Sequence, residues 1–193
     1  MPPQIRVPST LPAVEKSTET LVPPEVAFLE GTWHVIYSTL PMWRSKRNVR
    51  ITYTSISGTG TGDGGPQRID DLVTYQSIGS EKVQSVRGVD TAVTGGGVDG
   101  WAWHWRGKGW LMIASSRWEV LGYGPGDEEE GEKWAVTYFA KTLFTPAGLD
   151  IYSRSPGGLS EELLGQIKEA LRGIEDEAFQ KLVDGLFEVA RDV

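Results

Sequence analysis

The sequence contains no cysteine among its 193 residues. Disulfides, thiolate nucleophiles and metal sites with cysteine ligands are therefore excluded. No stretch approaches the roughly 20 apolar residues of a membrane span. The first residues, MPPQIRVPSTLPAVEK, contain no continuous apolar run of the kind found in a signal peptide. Together these features predict a cytoplasmic protein without a membrane span.

Positive charge is also scarce. The chain has 19 lysines and arginines against 26 acidic residues, for a net charge of −7. The acidic cluster DEEEGE at 127–132 is expected to be a solvated loop. Because an acidic chain without a basic block is a poor candidate for nucleic-acid binding, we expect no nucleic-acid partner. The sequence does not indicate an oligomeric state.

Several catalytic motifs are missing. The only two histidines, His34 and His104, have no neighbouring pattern that resembles a metal site. The glycine-rich segment 57–66 lacks the lysine and the following helix of a phosphate-binding loop. No G-x-S-x-G motif occurs. We expect neither a metal nor a cofactor.

Proline and apolar periodicity divide the chain into three regions. Residues 1–24 are proline-rich and predict an extended arm, either disordered or laid over the domain. Residues 25–156 begin with a short helical turn and then show short β-rich segments broken by glycine-rich turns. Such even spacing favours a sandwich or an up-and-down barrel. The predicted strands are 32–39, 48–56, 69–78, 82–88, 101–106, 110–115, 117–123, 133–140 and 148–154.

The apolar period changes to that of helices after Pro156. A helix over 159–172 is predicted, with Ser160 as its cap and Gly173 at its end. A second amphipathic pattern follows and includes Leu186 and Phe187. Since one-sided helices must bury their apolar faces, residues 157–193 are expected to pack outside the sheet.

Two patches resemble known sequence signatures. FLEGTWHVIYS, with Gly31 and Trp33, resembles the G-x-W signature that opens the lipocalin barrel. LDIYSRSPGGLSEELLGQI, with Arg154, resembles the closing segment of bacterial and plant lipocalins. The resemblance covers roughly residues 26–172. It implies an all-β, up-and-down antiparallel barrel of eight or nine strands, closed at one end by Gly31, Trp33 and Arg154 in structural roles.

Strand alternation then predicts which side chains face the interior. If Trp33 points inward, so does Tyr37, and Tyr53 faces inward on the next strand. If Arg154 points inward, Tyr152 and Asp150 share its face, although a solvated Asp150 at the rim is an open alternative. An inward carboxyl in aromatic surroundings would have a raised pKa unless it is paired.

The segment WAWHWR places Trp101, Trp103 and Trp105 at every second position. They are predicted to face inward, either as core or as the walls of a flat pocket. By family analogy, the loop 39–47 lies at the open mouth of the barrel, with basic residues that could attract an anion. The predicted ligand-binding residues are Tyr37, Met42, Trp43, Tyr53, Trp101, Trp103, Trp105 and Trp118.

The favoured function is a cytoplasmic barrel that binds one small apolar molecule, planar or polyunsaturated. The alternative is a cofactor-independent isomerase or cyclase of specialised metabolism, in which Asp150 and Tyr152 would be catalytic. A dry, inward Asp150 beside a cavity would favour this enzyme. Haem binding needs an inward histidine, which alternation does not provide, and a solid barrel without a ligand is the remaining hypothesis.

Overall fold

A computed structural model describes residues 2–11, 21–58, 65–109, 112–124, 132–143 and 145–192. Eight antiparallel strands pair in sequence order, and the first strand also pairs with the eighth, so the sheet closes into a barrel. This confirms the predicted fold class. The strands are Gly31–Ser38 (β1), Lys46–Ser55 (β2), Arg68–Ser77 (β3), Val83–Ala92 (β4), Ala102–Gly107 (β5), Ser115–Gly124 (β6), Trp134–Phe139 (β7) and Gly148–Ser153 (β8).

The connection between β5 and β6 differs from the prediction. No strand covers the described part of 110–115 ahead of β6, and residues 110 and 111 lie outside the described residues. Gly109 adopts a φ of 64°, and the Met112 N–H bonds back to its carbonyl. This turn interrupts the strand pattern, because Gly109 takes a left-handed conformation that most residues avoid. The described residues 108, 109 and 112–114 therefore belong to a connection at one end of the barrel.

A bulge in β1 reverses the predicted alternation. The pairing of β1 with β8 shifts register between Val35 and Tyr37. Val35 belongs to the interior core, whereas Tyr37 packs on the outside, with the Lys168 ammonium 3.7 Å from its ring centroid. The predicted inward orientation of Tyr37 is wrong, because a bulge places two successive residues on one face. Ser38 then returns to the interior.

Short helices lie at the ends and on the outside of the barrel. Their bounds are Val26–Leu29 (α1), Glu161–Arg172 (α2) and Glu177–Asp184 (α3), with a 3₁₀ helix over Pro41–Ser45. Ser160 caps α2 as predicted, and Ile167 and Leu171 pack against outward residues of the barrel. None of the helices that the structure describes is long and apolar enough to cross a membrane.

The helix α3 is shorter than the second amphipathic pattern predicts. It ends at Asp184 with Gly185 as its C-cap, and Phe187 and Glu188 form a short strand, β9, that pairs with β1. Phe187 therefore packs against the barrel as part of a strand. Glycine interrupts the helix because its backbone loses more freedom than that of other residues.

Part of the N-terminal arm lies along β6. The Arg6 N–H donates to the Leu121 carbonyl, and the Arg6 guanidinium pairs with Glu119. Ser9 also bonds to Glu119, which is almost fully buried beneath the arm. Residues 2–11 thus cover an outer face of the barrel, while residues 12–20 lie outside the described residues.

Candidate ligand-binding cavity

The closed end of the barrel contains the residues of the first sequence signature. The Trp33 side chain is fully buried, and its N–H donates to the Leu29 carbonyl at 2.9 Å. The Arg154 guanidinium lies 3.8 Å from the centroid of the Trp33 ring. Such a cation over an indole gains roughly 0.5–2 kcal/mol. The guanidinium also donates to the carbonyl oxygens of Phe28, Glu30 and Thr32.

Gly31 allows this close packing. Its φ is 93°, a region that side-chain-bearing residues rarely adopt. A Cβ added there would lie 3.0 Å from an Arg154 nitrogen. Burial also lowers the pKa of Arg154 to about 10. Gly31, Trp33 and Arg154 therefore occupy the closed end together, as the resemblance implies.

The three alternating tryptophans occupy successive levels of the interior. Trp101 lies near Tyr123, with ring centroids 6.4 Å apart, and Trp103 stacks on Trp118 at 6.1 Å. Trp105 reaches a cavity at the opposite, open end. Only the last of the three thus lines the cavity, while Trp101 and Trp103 fill the barrel core.

The cavity at the open end has a volume of about 460 Å³. The 3₁₀ helix after β1 and the loops after β5 and β7 form its rim, where Met42, Ile113 and Leu143 are exposed. Its walls are mainly aromatic. The aromatic wall residues are Trp43, Tyr53, Trp105, Trp118, Phe139 and Tyr152.

Most of the predicted site residues meet at this cavity. Those that line it are Met42, Trp43, Tyr53, Trp105, Trp118, Asp150 and Tyr152. Trp101 and Trp103 lie deeper, and Tyr37 lies outside the barrel. The contact of each lining residue with a ligand stays a prediction.

Asp150 lies in the cavity wall and not at a solvated rim. Its side chain is 1 % exposed, and the Ser38 hydroxyl donates to it at 2.5 Å. Burial raises the Asp150 pKa to about 7, while Ser38 and Trp43 favour the charged form. The buried Trp43 N–H lies near enough to lower the Asp150 pKa, but its geometry is not that of a hydrogen bond. The hydrogen-bond donor to Asp150 is therefore Ser38, whereas Arg154 bonds to backbone carbonyls at the closed end.

Two further buried carboxyls were missed. Asp71 on β3 lines the cavity, and one of its oxygens has no hydrogen-bond partner. Asp90 on β4 accepts the Trp118 N–H at 2.7 Å, and its other oxygen has no partner. The alternation of Ile69, Asp71 and Val73 along β3 was the signal that could have revealed the first of them.

Burial raises the pKa of both missed carboxyls. The Asp90 pKa reaches about 7, although the Trp118 N–H favours its charged form. The Asp71 pKa rises well above its usual value, because burial and the nearby charges of Asp90 and Asp70 disfavour ionisation. At neutral pH the carboxyls of Asp90 and Asp150 therefore ionise only in part.

Two phenols complete the polar part of the site. Tyr53 and Tyr152 are almost fully buried, and burial raises the pKa of each well above its usual value. The Tyr152 hydroxyl interacts with the Tyr53 and Thr137 hydroxyls but makes no hydrogen bond of good geometry. Both phenols are therefore neutral donors and acceptors in the cavity wall at physiological pH.

No cationic side chain is present among the described residues that line the cavity. The predicted basic rim is directed elsewhere: Arg44 lies 4.1 Å from the Phe187 ring centroid and Lys46 lies 5.1 Å from that of Tyr75. Arg47 pairs with Glu81 and Asp192. His34 is half-buried on an outward position, and His104 is exposed. The described residues contain no group of histidines and carboxylates that could hold a metal.

No family model and no curated protein matches the chain. Solved structures do match it. Insecticyanin from the tobacco hornworm Manduca sexta superposes with a TM-score of 0.58 at 12 % identity, covering 93 % of this chain and 87 % of that one. Lobster apocrustacyanin A1 gives 0.57 at 12 % identity, with 86 % and 79 % covered.

A third similar structure is the tryptamine complex of the amine-binding protein of Rhodnius prolixus. Its TM-score is 0.54 at 14 % identity, covering 90 % of this chain and 85 % of that one. These likenesses concern the fold, since the identities are low. The closed eight-stranded barrel, its plugged end and these neighbours together show that the chain has the lipocalin fold.

Proposed function

We propose that the protein binds one small, mainly apolar and planar molecule in the open-end cavity. One observation carries this proposal: a cavity of about 460 Å³ lies between the rings of Trp43, Trp105 and Trp118. This volume is within the roughly 300–1,000 Å³ of small-molecule sites. Aromatic walls favour flat or polyunsaturated ligands, which stack on the rings.

The solved neighbours add support from the fold. One of them forms a complex with tryptamine, a small planar aromatic molecule. A cytoplasmic location is part of the proposal, and the absence of cysteine is compatible with a reducing compartment. Cell fractionation with an antibody tests that location directly.

Titration with retinol, a planar apolar polyene, tests binding. We expect retinol to quench tryptophan fluorescence and to saturate at one molecule per chain. Val73→Phe adds a ring to the cavity wall and should weaken binding at least tenfold. Thr74→Phe is the matched control, because the next residue of β3 faces outward, and it should bind as the parent does.

The two variants separate cavity binding from surface adsorption. Equal weakening by Val73→Phe and Thr74→Phe would contradict the assignment of the cavity. Circular dichroism and melting curves show that each variant keeps the parent fold. A failure of retinol and of a broad panel of other planar apolar compounds to bind would reject the proposal.

A cofactor-independent isomerase or cyclase is the second candidate. The observation in its favour is the buried Asp150, with a pKa of about 7, beside the Tyr152 hydroxyl in the cavity wall. A carboxyl with a pKa near neutrality can both donate and accept a proton. Tyr152 could donate a hydrogen bond to an oxygen of the reacting molecule.

Asp150→Asn distinguishes the two candidates. In a binding protein this isosteric change should leave retinol affinity nearly unchanged. In an enzyme it should preserve binding and lower the rate of isomerisation by about 10²–10⁴-fold. Chromatography of polyenes incubated with the parent, Asp150→Asn and the outward control Asp70→Asn detects products of unchanged mass. If the parent protein forms no isomerised product, the enzyme hypothesis is contradicted.

A further inference from the structure

We propose that the natural ligand contains a positively charged nitrogen that pairs with the carboxylate of Asp71. This inference rests on the cavity function proposed above and narrows its ligand class to organic cations with an apolar, planar body. Protonated amines and quaternary ammonium compounds belong to this class.

Asp71 contributes a carboxyl to the cavity wall, where the Trp105 side chain favours its charged form. It lies on the inward face of β3, is 6 % exposed, and lines the cavity wall. One of its carboxyl oxygens is buried without a hydrogen-bond partner. Leaving a buried polar atom unpaired is costly, so it is expected to be satisfied when a ligand is bound.

Asp90 adds a second acceptor beside the first. In the pairing of β3 with β4, Asp90 lies opposite Ile69 and Gly88 lies opposite Asp71. The two carboxyls are therefore diagonal neighbours on the same face of adjacent strands. Trp118 satisfies one oxygen of Asp90, and the other is unpaired. Two adjacent acids with free oxygens attract a cation more strongly than either alone.

The aromatic walls of the cavity also favour a positively charged ligand. Trp105, Trp118 and Tyr53 line the cavity together with Asp71. A Cβ at Gly88 would lie 2.1 Å from the Trp105 indole nitrogen, so glycine there lets this ring pack beside Asp71. A cation near such rings gains about 0.5–2 kcal/mol, and more when water is excluded.

The groups that face Asp71 from the neighbouring strands are acidic or neutral. They are Tyr53 on β2, Asp90 on β4, Trp105 on β5, Trp118 on β6, and Asp150 and Tyr152 on β8. Asp70, the outward neighbour, already pairs with Arg87 and Lys108. A bound cation would therefore stabilise ionised carboxyls, and its affinity should rise with pH.

Calorimetric titration with a pair of naphthalenes tests the charge. The probes are 1-naphthylmethylamine, which is protonated near neutral pH, and 1-naphthylmethanol, which is neutral and of similar shape. We expect the amine to bind about tenfold more tightly or better, a difference of 1.4 kcal/mol. Asp71→Asn should abolish most of this preference and retain the alcohol affinity. Asp70→Asn removes the same charge from the outward neighbour and should keep the preference.

A second measurement uses only the unmodified protein, should Asp71→Asn fail to fold. The affinity of trimethyl(1-naphthylmethyl)ammonium, which never loses its charge, should increase severalfold between about pH 5 and about pH 8, while that of the alcohol stays flat. Alcohol binding without an amine preference, or a flat pH profile for the ammonium, would overturn this inference and leave the cavity function standing. If neither naphthalene, nor retinol, nor any compound of the broader apolar panel binds, both proposals fail.

Discussion

The two ends of the barrel use similar residues for different purposes. At the closed end, Trp33 and Arg154 are packed together, and their polar atoms bond to backbone carbonyls. At the open end, the Trp43 N–H, one carboxyl oxygen of Asp71 and the Tyr152 hydroxyl make no hydrogen bond of good geometry. Both ends contain buried indoles, so residue type alone does not distinguish a core from a site.

The difference lies in whether the polar groups are satisfied. Natural cores pair nearly all of their buried donors and acceptors, and unpaired groups require an explanation. Unpaired polar atoms of Trp43, Asp71 and Tyr152 belong to residues that line a cavity of about 460 Å³, and the Trp103 N–H in the adjacent core is unpaired as well. The closed end therefore stabilises the fold, and the open end is available for binding.

The largest expected effect is on the closed end. Trp33→Ala should lower the free energy of unfolding by roughly 3–5 kcal/mol, because it leaves a cavity in the core and removes the surface under Arg154. Chemical denaturation measures this change. Trp43→Ala, which removes an indole from the open end, is the comparison and should cost clearly less. Equal costs would contradict the distinction between the two ends.

The pH dependence of stability gives the next effect. The folded Asp150 pKa of about 7 lies above its usual 3.8. The neutral carboxyl of Asp150 therefore contributes its full stabilisation below the pKa of the unfolded chain, and this stabilisation is lost as pH rises through the pKa of the folded protein. We expect Asp150→Asn to become more stable than the parent as pH rises from about 4 to about 8, by up to about 4 kcal/mol.

Asp70→Asn is the control with the opposite sign. Burial raises the Asp70 pKa, but the charges of Lys108 and Arg87 outweigh it and lower the pKa overall. The charged Asp70 therefore stabilises the fold above the pKa of the unfolded chain, and this stabilisation is lost as pH falls. This variant should be less stable than the parent near neutral pH, and the difference should shrink in acid. Urea denaturation at several pH values compares the two. A pH-independent effect of Asp150→Asn would contradict a buried titrating carboxyl.

Arg154→Lys should have a moderate effect. Lysine retains the positive charge near Trp33, but its single ammonium cannot replace the two guanidinium nitrogens that donate to the carbonyls of residues 28, 30 and 32. We expect a loss of about 1–3 kcal/mol in the free energy of unfolding, with unchanged retinol binding. If retinol affinity falls while stability holds, the closed end would belong to the site.

The smallest effect is kinetic. Trp43 covers the cavity at its rim, so Trp43→Ala should speed retinol dissociation severalfold and change the association rate little. Stopped-flow fluorescence measures both rates. An unchanged dissociation rate would show that the 3₁₀ helix does not retain the ligand.

The sequence alone was sufficient for most of the fold. The G-x-W patch and the Arg154 segment predicted the barrel and its closed end, because a packed Trp–Arg pair depends on local motifs at fixed positions in the chain. Alternation correctly placed Tyr53 in the interior. The Tyr37 prediction failed because a bulge depends on pairing with β8, which β1 does not encode by itself.

The candidate site was harder to predict. Trp101, Trp103 and Trp105 share one face, yet only their depth along β5 decides which of them meets a cavity. Asp71 and Asp90 were missed because carboxyls ordinarily face solvent, and their burial follows from pairing between β3 and β4. Residue spacing within a strand predicts which face of the sheet a side chain occupies. The depth of that side chain in the barrel, and whether its polar atoms are paired, depend on how all the strands close together.

A crystal structure of the protein grown with 1-naphthylmethanol tests the central claim most directly. We predict one naphthalene ring at the open end between Trp43, Trp105 and Trp118, with the closed end around Trp33 and Arg154 unchanged. An empty or collapsed open end at saturating ligand, or a naphthalene ring bound only on the outer surface of the barrel, would contradict the account.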